Sequence, residues 1–208
     1  MKAFVTGTDT GVGKTFATAL FTRALRRAGL DTIALKPVCC GPRDDVEILH
    51  EAADRELTLD EINPVWLRTP VAPLVAAREE NTPISLPALR DWFSNVSSGR
   101  RSVLVEGAGG WLVPVTDGVS IADLAVMFQL PVLVVVANRL GCLSHTLLTL
   151  ESIRARGLVC SGLILNRLNH DLSDESVRSN RAILEELAGV PILAEIEPGQ
   201  QSLDFAVV

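Results

Sequence analysis

Apolar residues along this chain fall into short runs that alternate with segments of helical periodicity. The runs predict strands at about residues 2–6, 31–36, 102–106, 131–137, 160–165 and 190–194. The other periodic segments predict helices near 14–28, 44–54, 86–96, 119–128, 145–156 and 174–188. Several strands, such as Val132 to Val136, are apolar at every position, which is typical of a parallel sheet covered on both faces. The pattern predicts a doubly wound α/β fold, with a mostly parallel sheet flanked by helices.

One part of the chain lacks a clear period. Residues 56–85 are rich in proline and threonine and show only weak periodicity. We expect this segment to be an irregular excursion over the surface, serving as a lid or as a wall of a substrate site.

Length and composition restrict the class of protein. The chain has 208 residues, which predicts one compact domain over 1–208 with a large core. A net charge of −6 without a basic block argues against nucleic acid or an anionic membrane as partner. No apolar run reaches membrane-spanning length, and the start of the chain does not resemble a secretory signal. The four cysteines contain no C-x-x-C pair, so we expect a reduced cytoplasmic enzyme.

The strongest chemical signal lies directly after the first predicted strand. Residues 5–15 read V-T-G-T-D-T-G-V-G-K-T and lead into a predicted helix. Glycines let backbone N–H groups turn toward an anion, and the helix N-terminus adds positive potential. Lys14 would reach the β- and γ-phosphates of a nucleoside triphosphate, and Thr15 would hold Mg²⁺. The spacing is G-x5-G-K-T rather than G-x4-G-K-T, but an ordinary strand–helix turn would leave the lysine and threonine unexplained. We call residues 7–15 the phosphate loop.

Charged residues follow other predicted strands at the same edge of the sheet, where ligands gather in this fold class. Lys36 precedes a proline and could neutralise a phosphoryl or carboxyl group, or it could simply extend into solvent from a strand end. Glu106 precedes G-A-G-G and, with Asp45, offers the oxygen ligands that Mg²⁺ prefers. Asp44 and Asp45 could instead be acids favoured at a helix N-terminus, and the sequence does not separate them.

Asn166 follows the fifth predicted strand. Its amide could read the edge of a nucleotide base, since it offers a donor and an acceptor together. A turn-forming asparagine is the alternative at this position.

Taken together, these motifs resemble the dethiobiotin synthase family of the P-loop NTPase superfamily. The resembling pieces extend over nearly the full chain in order: the loop 5–15, K-P-V at 36–38, Asp45, V-E-G-A-G-G-W at 105–111, L-P-V-L-V-V at 130–135 and L-G-C-L-S-H-T at 140–146. The resemblance implies a homodimer that uses ATP and Mg²⁺ to close 7,8-diaminononanoate and CO₂ into dethiobiotin, through a carbamate and a carbamic-phosphoric anhydride. The substrate would lie at the subunit interface.

The resemblance also implies roles for individual residues. Lys14, Lys36 and Thr10 would be catalytic, and Thr15, Asp45 and Glu106 would hold the metal. Nucleotide contacts would come from Asp9, Gly11, Val12, Gly13, Lys14, Thr15, Asn166 and Pro198. Substrate contacts would come from Cys40, Gly109, Gly141, Cys142 and Ser144. Cys40 stands where some relatives have serine, and Ser144 stands where asparagine is usual.

Three other readings compete with this one. Partition- or division-type switch ATPases share the loop type but carry a signature lysine where this chain has Asp9. Cobyrinate amide synthases need an added glutaminase domain, for which the chain has no room. A pure nucleotide-binding adaptor would leave Lys36 and Glu106 without a purpose.

Overall fold

The computed structural model describes residues 1–168 and 174–203. The strands within these residues are β1 Lys2–Gly7, β2 Thr32–Leu35, β3 Val38–Cys40, β4 Val65–Leu67, β5 Ser102–Glu106, β6 Pro114–Thr116, β7 Val119–Ser120, β8 Val132–Ala137, β9 Cys160–Asn166 and β10 Ile192–Ile196. The helices are α1 Lys14–Arg27, α2 Asp44–Ala52, α3 Leu59–Ile62, α4 Pro73–Glu79, α5 Leu86–Val96, α6 Ile121–Phe128, α7 Cys142–Ala155 and α8 Val177–Leu187. All six predicted strands and all six predicted helices are present.

Six strands form the central sheet in the order β10-β9-β8-β1-β5-β2, and every neighbouring pair is parallel. β5 and β8 are buried at every residue, and the apolar runs at 103–105 and 132–137 predict buried strands there. The chain builds one side of the sheet from β1 to β5 and then crosses β1 to build the other side. The loops after β1, β5 and β8 therefore meet at one edge, at the switch point where ligands bind in such folds. The predicted doubly wound α/β fold is confirmed.

The core has a layer on each face of this sheet. Alternate residues along β1 supply the two layers, because successive strand side chains point to opposite faces. Ala3 and Val5 pack with α1, whose buried residues include Leu20 and Phe21. Phe4 lies on the other face, in the cluster that includes residues of α5, α6 and α7. The two layers fix β1 and α1, and with them the phosphate loop.

The expectation of an irregular segment at 56–85 is wrong. This stretch holds α3, β4 and α4, and β4 runs parallel to β3 as a separate two-stranded sheet. α3 begins with a capping box, in which the side chains of Thr58 and Glu61 satisfy each other's backbone N–H groups. Elements of three to seven residues are too short to show a period, which is why the pattern did not reveal them.

Several helix boundaries also differ from the prediction, and two of the differences have a clear local cause. α7 begins at Cys142 rather than near residue 145, because Gly141 adopts a left-handed φ of 91° and caps the helix. α6 begins at Ile121 rather than at residue 119, because β7 pairs with β6. Within the described ranges, none of the helices has the length and apolar character needed to cross a bilayer.

Candidate active site

The phosphate loop connects β1 to α1 and closes tightly on itself. Gly11 and Gly13 have φ values of 73° and 84°, a region that costs other residues about 1–2 kcal/mol. A Cβ on Gly13 would lie 2.0 Å from the Asn166 side-chain nitrogen, so this position has no room for a side chain. The first turn of α1 contains no acidic residue, so its backbone N–H groups and dipole are available to an anion. The loop backbone therefore has the conformation that the predicted anion cradle requires.

Lys14 lies in the first turn of α1 with its side chain folded back over the loop. It is buried, and its Nζ donates to the carbonyl of Asp9 at 3.3 Å. Burial lowers its pKa, the nearby Glu106 opposes this, and the positive Lys36 adds to the lowering. Phosphate oxygens are the kind of partner that would offset this desolvation.

Lys36, directly after β2, lies between two carboxylates. Its Nζ donates to Glu106 Oε1 at 2.7 Å and also to Asp45 Oδ2. The Lys36 and Glu106 side chains are 5% and 0% exposed, so this pair is shielded from water. Burial alone would lower the pKa of Lys36, but Glu106 and Asp45 outweigh it and raise the pKa. Lys36, Asp45 and Glu106 form what we call the lysine–carboxylate cluster.

Thr15 joins this cluster to the phosphate loop. Its hydroxyl donates to Glu106 Oε1 at 2.8 Å. The other carboxylate oxygen, Glu106 Oε2, is fully buried and has no hydrogen-bond partner among the described residues. An unpaired buried carboxylate oxygen is costly, and a cation would satisfy it. The donor set of one hydroxyl and two carboxylates fits Mg²⁺, which takes its remaining ligands from water and phosphate.

The structure separates the two adjacent aspartates that the sequence could not. Asp45 contacts Lys36, and its pKa falls because Lys36 outweighs the opposing effect of burial. Asp44 is exposed in the first turn of α2. Of the two, Asp45 is the one that lies in the lysine–carboxylate cluster.

A cavity of about 370 Å³ opens beside the cluster. We call it the Cys40 cavity. The predicted residues that line it are Thr10, Lys36, Cys40, Asp45 and Gly109, and the others are Cys39, Pro70, Val71, Ala72, Pro73, Ala108 and Val113. Residues 70–73 belong to the segment expected to form a lid or wall, and they form a wall here. Burial, with the neighbouring Cys39, raises the pKa of Cys40 to about 11, so its thiol is neutral at physiological pH.

The predicted base-binding residues lie on the other side of the phosphate loop. Asn166, the last residue of β9, donates from Nδ2 to the carbonyl of Val12 at 2.8 Å. Its position is thus fixed against the loop itself. Pro198 lies in the turn that follows β10, whose Ile196 is in register with Asn166.

The remaining predicted substrate residues do not reach the Cys40 cavity. Gly141, Cys142 and Ser144 lie at the N-terminus of α7, beyond the carboxyl end of β8. Ser144 is exposed, and the backbone N–H of Cys142 donates to the carbonyl of Arg139 at 3.1 Å. Within one subunit these residues and the cavity are separate surfaces.

Some residues of the site carried no sequence signal. Arg139 Nη2 lies 3.9 Å from Asp9 Oδ2 and so links the loop after β8 to the phosphate loop. Asn63, in the segment expected to be irregular, donates to the carbonyl of Lys36 at 2.9 Å. A lone arginine or asparagine in a loop has no spacing that could have identified it.

Comparisons with known proteins agree with this geometry. A family model described as an AAA domain matches residues 2–204. The chain is 45% identical to a protein named ATP-dependent dethiobiotin synthetase BioD from Akkermansia muciniphila, over 98% of this chain and 95% of that one. It is 43% identical to a protein of the same name from Anaeromyxobacter sp. strain Fw109-5, over 93% and 88% of the two chains.

Solved structures with the same fold are more distant in sequence. The Aquifex aeolicus MinC:MinD cell division protein complex matches with a TM-score of 0.60 at 18% identity, over 95% of this chain and 82% of that one. A ParA family ATPase from Chlorobium tepidum matches with a TM-score of 0.57 at 17% identity, over 95% and 85%. These likenesses confirm the P-loop NTPase fold and no more. The identity to the curated relatives shows that the chain belongs to the ATP-dependent dethiobiotin synthetase family, whose members are ligases.

Proposed function

We propose that this protein closes 7,8-diaminononanoate and CO₂ into dethiobiotin at the expense of ATP. One amine of the diamine captures CO₂ as a carbamate, ATP phosphorylates the carbamate to a carbamic-phosphoric anhydride, and the second amine displaces phosphate to close the ring. The observation that carries the proposal is the juxtaposition of the phosphate loop, the lysine–carboxylate cluster and the Cys40 cavity. Family membership supports it.

The central difficulty of this reaction is electrostatic. A carbamate is an anion, and it must approach the γ-phosphate, another anion. Lys14 is on the phosphate loop, while Lys36 is shared by the cluster and the cavity wall, so we propose that they contact the transferring group from two sides. Thr10, which also lines the cavity, would contact the carbamate and the γ-phosphate. These residues act by positioning and charge neutralisation.

We propose that Thr15, Asp45 and Glu106 hold Mg²⁺. The buried, unpartnered Oε2 of Glu106 supports this assignment. Bound there, Mg²⁺ would supply neutralisation of phosphate charge. Lys36, whose ammonium donates to both carboxylates, would lie beside the phosphate charge.

For the nucleotide, we propose that the backbone of Asp9, Gly11, Val12 and Gly13 surrounds the phosphates, together with Lys14 and Thr15. Asn166 and Pro198 would lie at the adenine. Their placement at the ends of neighbouring strands, beside the phosphate loop, supports this.

For the diamine, we propose that Cys40 and Gly109 contact the reacting end in the cavity. The substrate carboxylate would bind Gly141, Cys142 and Ser144 of the partner subunit in a homodimer. An apolar groove on this face supports an interface: it includes Trp111, Val113 and His145, and two exposed leucines, Leu112 and Leu148, lie in it. Light scattering should give twice the monomer mass, and a monomer that is fully active would contradict the shared site. A cytoplasmic location also remains a prediction.

The switch-ATPase alternative is not better supported. The similar division and partition ATPases share less than a fifth of their residues with this chain, so they report the fold alone. Asp9 stands at the place of their signature lysine, and it accepts from the backbone N–H of Thr10 at 2.7 Å.

The decisive experiment incubates the protein with the diamine, bicarbonate and MgATP. Mass spectrometry should detect the cyclic urea, and phosphate release should require the diamine. Equal phosphate release without the diamine would favour a switch ATPase. Lys36→Ala should lower turnover by orders of magnitude while the protein remains folded, and near-normal turnover would remove Lys36 from the mechanism.

A further inference from the structure

The backbone of Lys36 is held from outside the central sheet. Lys36 comes directly after β2, the edge strand, which pairs only with β5 among the residues that the structure describes. The N–H of Lys36 donates to the carbonyl of Ile62 at 2.9 Å, and its carbonyl accepts from Asn63 Nδ2 at 2.9 Å. Two residues at the end of α3 therefore fix the peptide groups from which the Lys36 side chain extends.

The amide of Asn63 is fully engaged. The side chain is 1% exposed. Besides Lys36, its Nδ2 donates to the carbonyl of Val65 at 2.9 Å, and its Oδ1 accepts from Arg43 Nε at 3.2 Å. No other side chain type places two donors and one acceptor in this geometry at this length.

The contact with Arg43 connects Asn63 to Asp45, the second carboxylate partner of Lys36. Arg43 immediately precedes α2, and Asp45 is in the first turn of that helix. Arg43 Nη2 also donates to the Asn63 carbonyl at 3.0 Å and to the Leu59 carbonyl at 3.3 Å. Asn63 thus contacts the backbone of Lys36 on one side. On the other side it contacts Arg43, which directly precedes the helix that carries Asp45.

We propose that Asn63 is a positioning residue for the reaction, which sets where the Lys36 ammonium lies relative to Asp45 and to the transferring phosphoryl group. Asn63 does not line the cavity and need not touch substrate. The inference rests on the role proposed for Lys36. Misplacement of a reacting group by about 1 Å can reduce a rate about 100-fold, so a small shift of the Lys36 backbone is enough to matter.

The test compares Asn63→Ala with Trp92→Phe. Trp92 Nε1 donates to the carbonyl of Glu61 at 2.8 Å, so the control removes a hydrogen bond from the same α3 segment without touching Lys36. Circular dichroism establishes that both variants are folded at the assay temperature. Incorporation of labelled bicarbonate then gives kcat and KM for each variant. Two further proteins are measured in the same way: Lys36→Ala alone, and the double variant Lys36→Ala with Asn63→Ala.

Asn63→Ala should lower kcat at least about tenfold and leave the KM for ATP within about twofold, while Trp92→Phe keeps near-native kcat. In the Lys36→Ala background, Asn63→Ala should cause no further fall, because its effect acts through Lys36. Equal losses in Asn63→Ala and Trp92→Phe, or the same fold-loss in both backgrounds, would show a purely structural role and overturn the inference. Near-native kcat in Lys36→Ala alone would instead refute the role proposed for Lys36, and the inference with it.

Discussion

Replacing Lys36 by methionine should destabilise the protein at pH 7. Methionine keeps most of the buried stem and removes the charge, so the change isolates the ion pair from cavity effects. At the 2.7 Å that separates Lys36 Nζ from Glu106 Oε1, the attraction is about 6 kcal/mol for an effective dielectric constant of about 20. Desolvation offsets part of this, and removing one member of a buried pair typically costs about 3–5 kcal/mol.

The carboxylate of Glu106 is left behind without its cation in a site that excludes water, so most of this cost should be observed. Asp45 adds little, because its side chain is 46% exposed and can turn to solvent.

The charges on Lys36 and Asp45 are both present at pH 7. Lys36 has a raised pKa, so its stabilising effect is fully present below the ordinary value of 10.5 and is lost only in strong base. Asp45 has a lowered pKa, so its contribution is present above 3.8 and is lost only in acid. At pH 7 the native protein therefore has the full contribution of both groups.

Urea unfolding of both proteins at pH 7 measures this difference. We expect Lys36→Met to lose about 3–5 kcal/mol. Adding Glu106→Gln should restore most of the loss, because no buried charge is then left without a partner. Arg78→Met is the control, since its ion pair with Asp117 is exposed and should contribute less than about 1 kcal/mol. A loss no larger than that of the control, or a loss that Glu106→Gln does not reduce, would refute the reasoning.

Three further predictions concern the loop and the cavity. Lys14→Met should weaken ATP binding about 100-fold, as measured by calorimetry, and an unchanged affinity would contradict this. The same change should not lower the free energy of unfolding without ATP, because burial already disfavours the charged ammonium of Lys14. Gly13→Ala should abolish ATP binding, because the added methyl group clashes with Asn166. Gly29 has a similar φ of 82° but open space around it, so Gly29→Ala should only lower the free energy of unfolding in urea by about 1 kcal/mol. The rate of alkylation of Cys40, monitored by mass spectrometry, should rise about tenfold per pH unit from pH 8 to 10, because its pKa is about 11. A rate that does not change with pH would refute that value.

The sequence predicted what depends on local pattern. Strands such as β8 are buried on both faces, so their apolar runs identify them without knowledge of their neighbours. The phosphate loop is equally local, since its glycines, Lys14 and Thr15 are consecutive or nearly so. The convergence of Lys36 and Glu106 followed from one general rule, that parallel strands end at the same edge.

What the sequence could not predict depends on relations between elements. Asp44 and Asp45 differ by one step around α2, and only the packing of that helix determines which of them faces Lys36. The role proposed for Asn63 requires that β2 be the edge strand of the described sheet, so that the peptide of Lys36 is free to bond outside the sheet. β3 and β4 stabilise each other although 24 residues lie between them, and neither is long enough to show a strand pattern by itself.

Charges of both signs meet in the lysine–carboxylate cluster, and they bear differently on the two lysines of the proposed reaction. Lys36 donates to Glu106 and to Asp45, so its buried ammonium already has carboxylate partners. Lys14 donates to a neutral backbone carbonyl, and its pKa is lowered mainly by burial, with a smaller contribution from Lys36. Bound phosphate would therefore supply Lys14 with the negative partner that Lys36 already has, so the proposed nucleotide site should depend more on Lys14 for binding and more on Lys36 for the reaction.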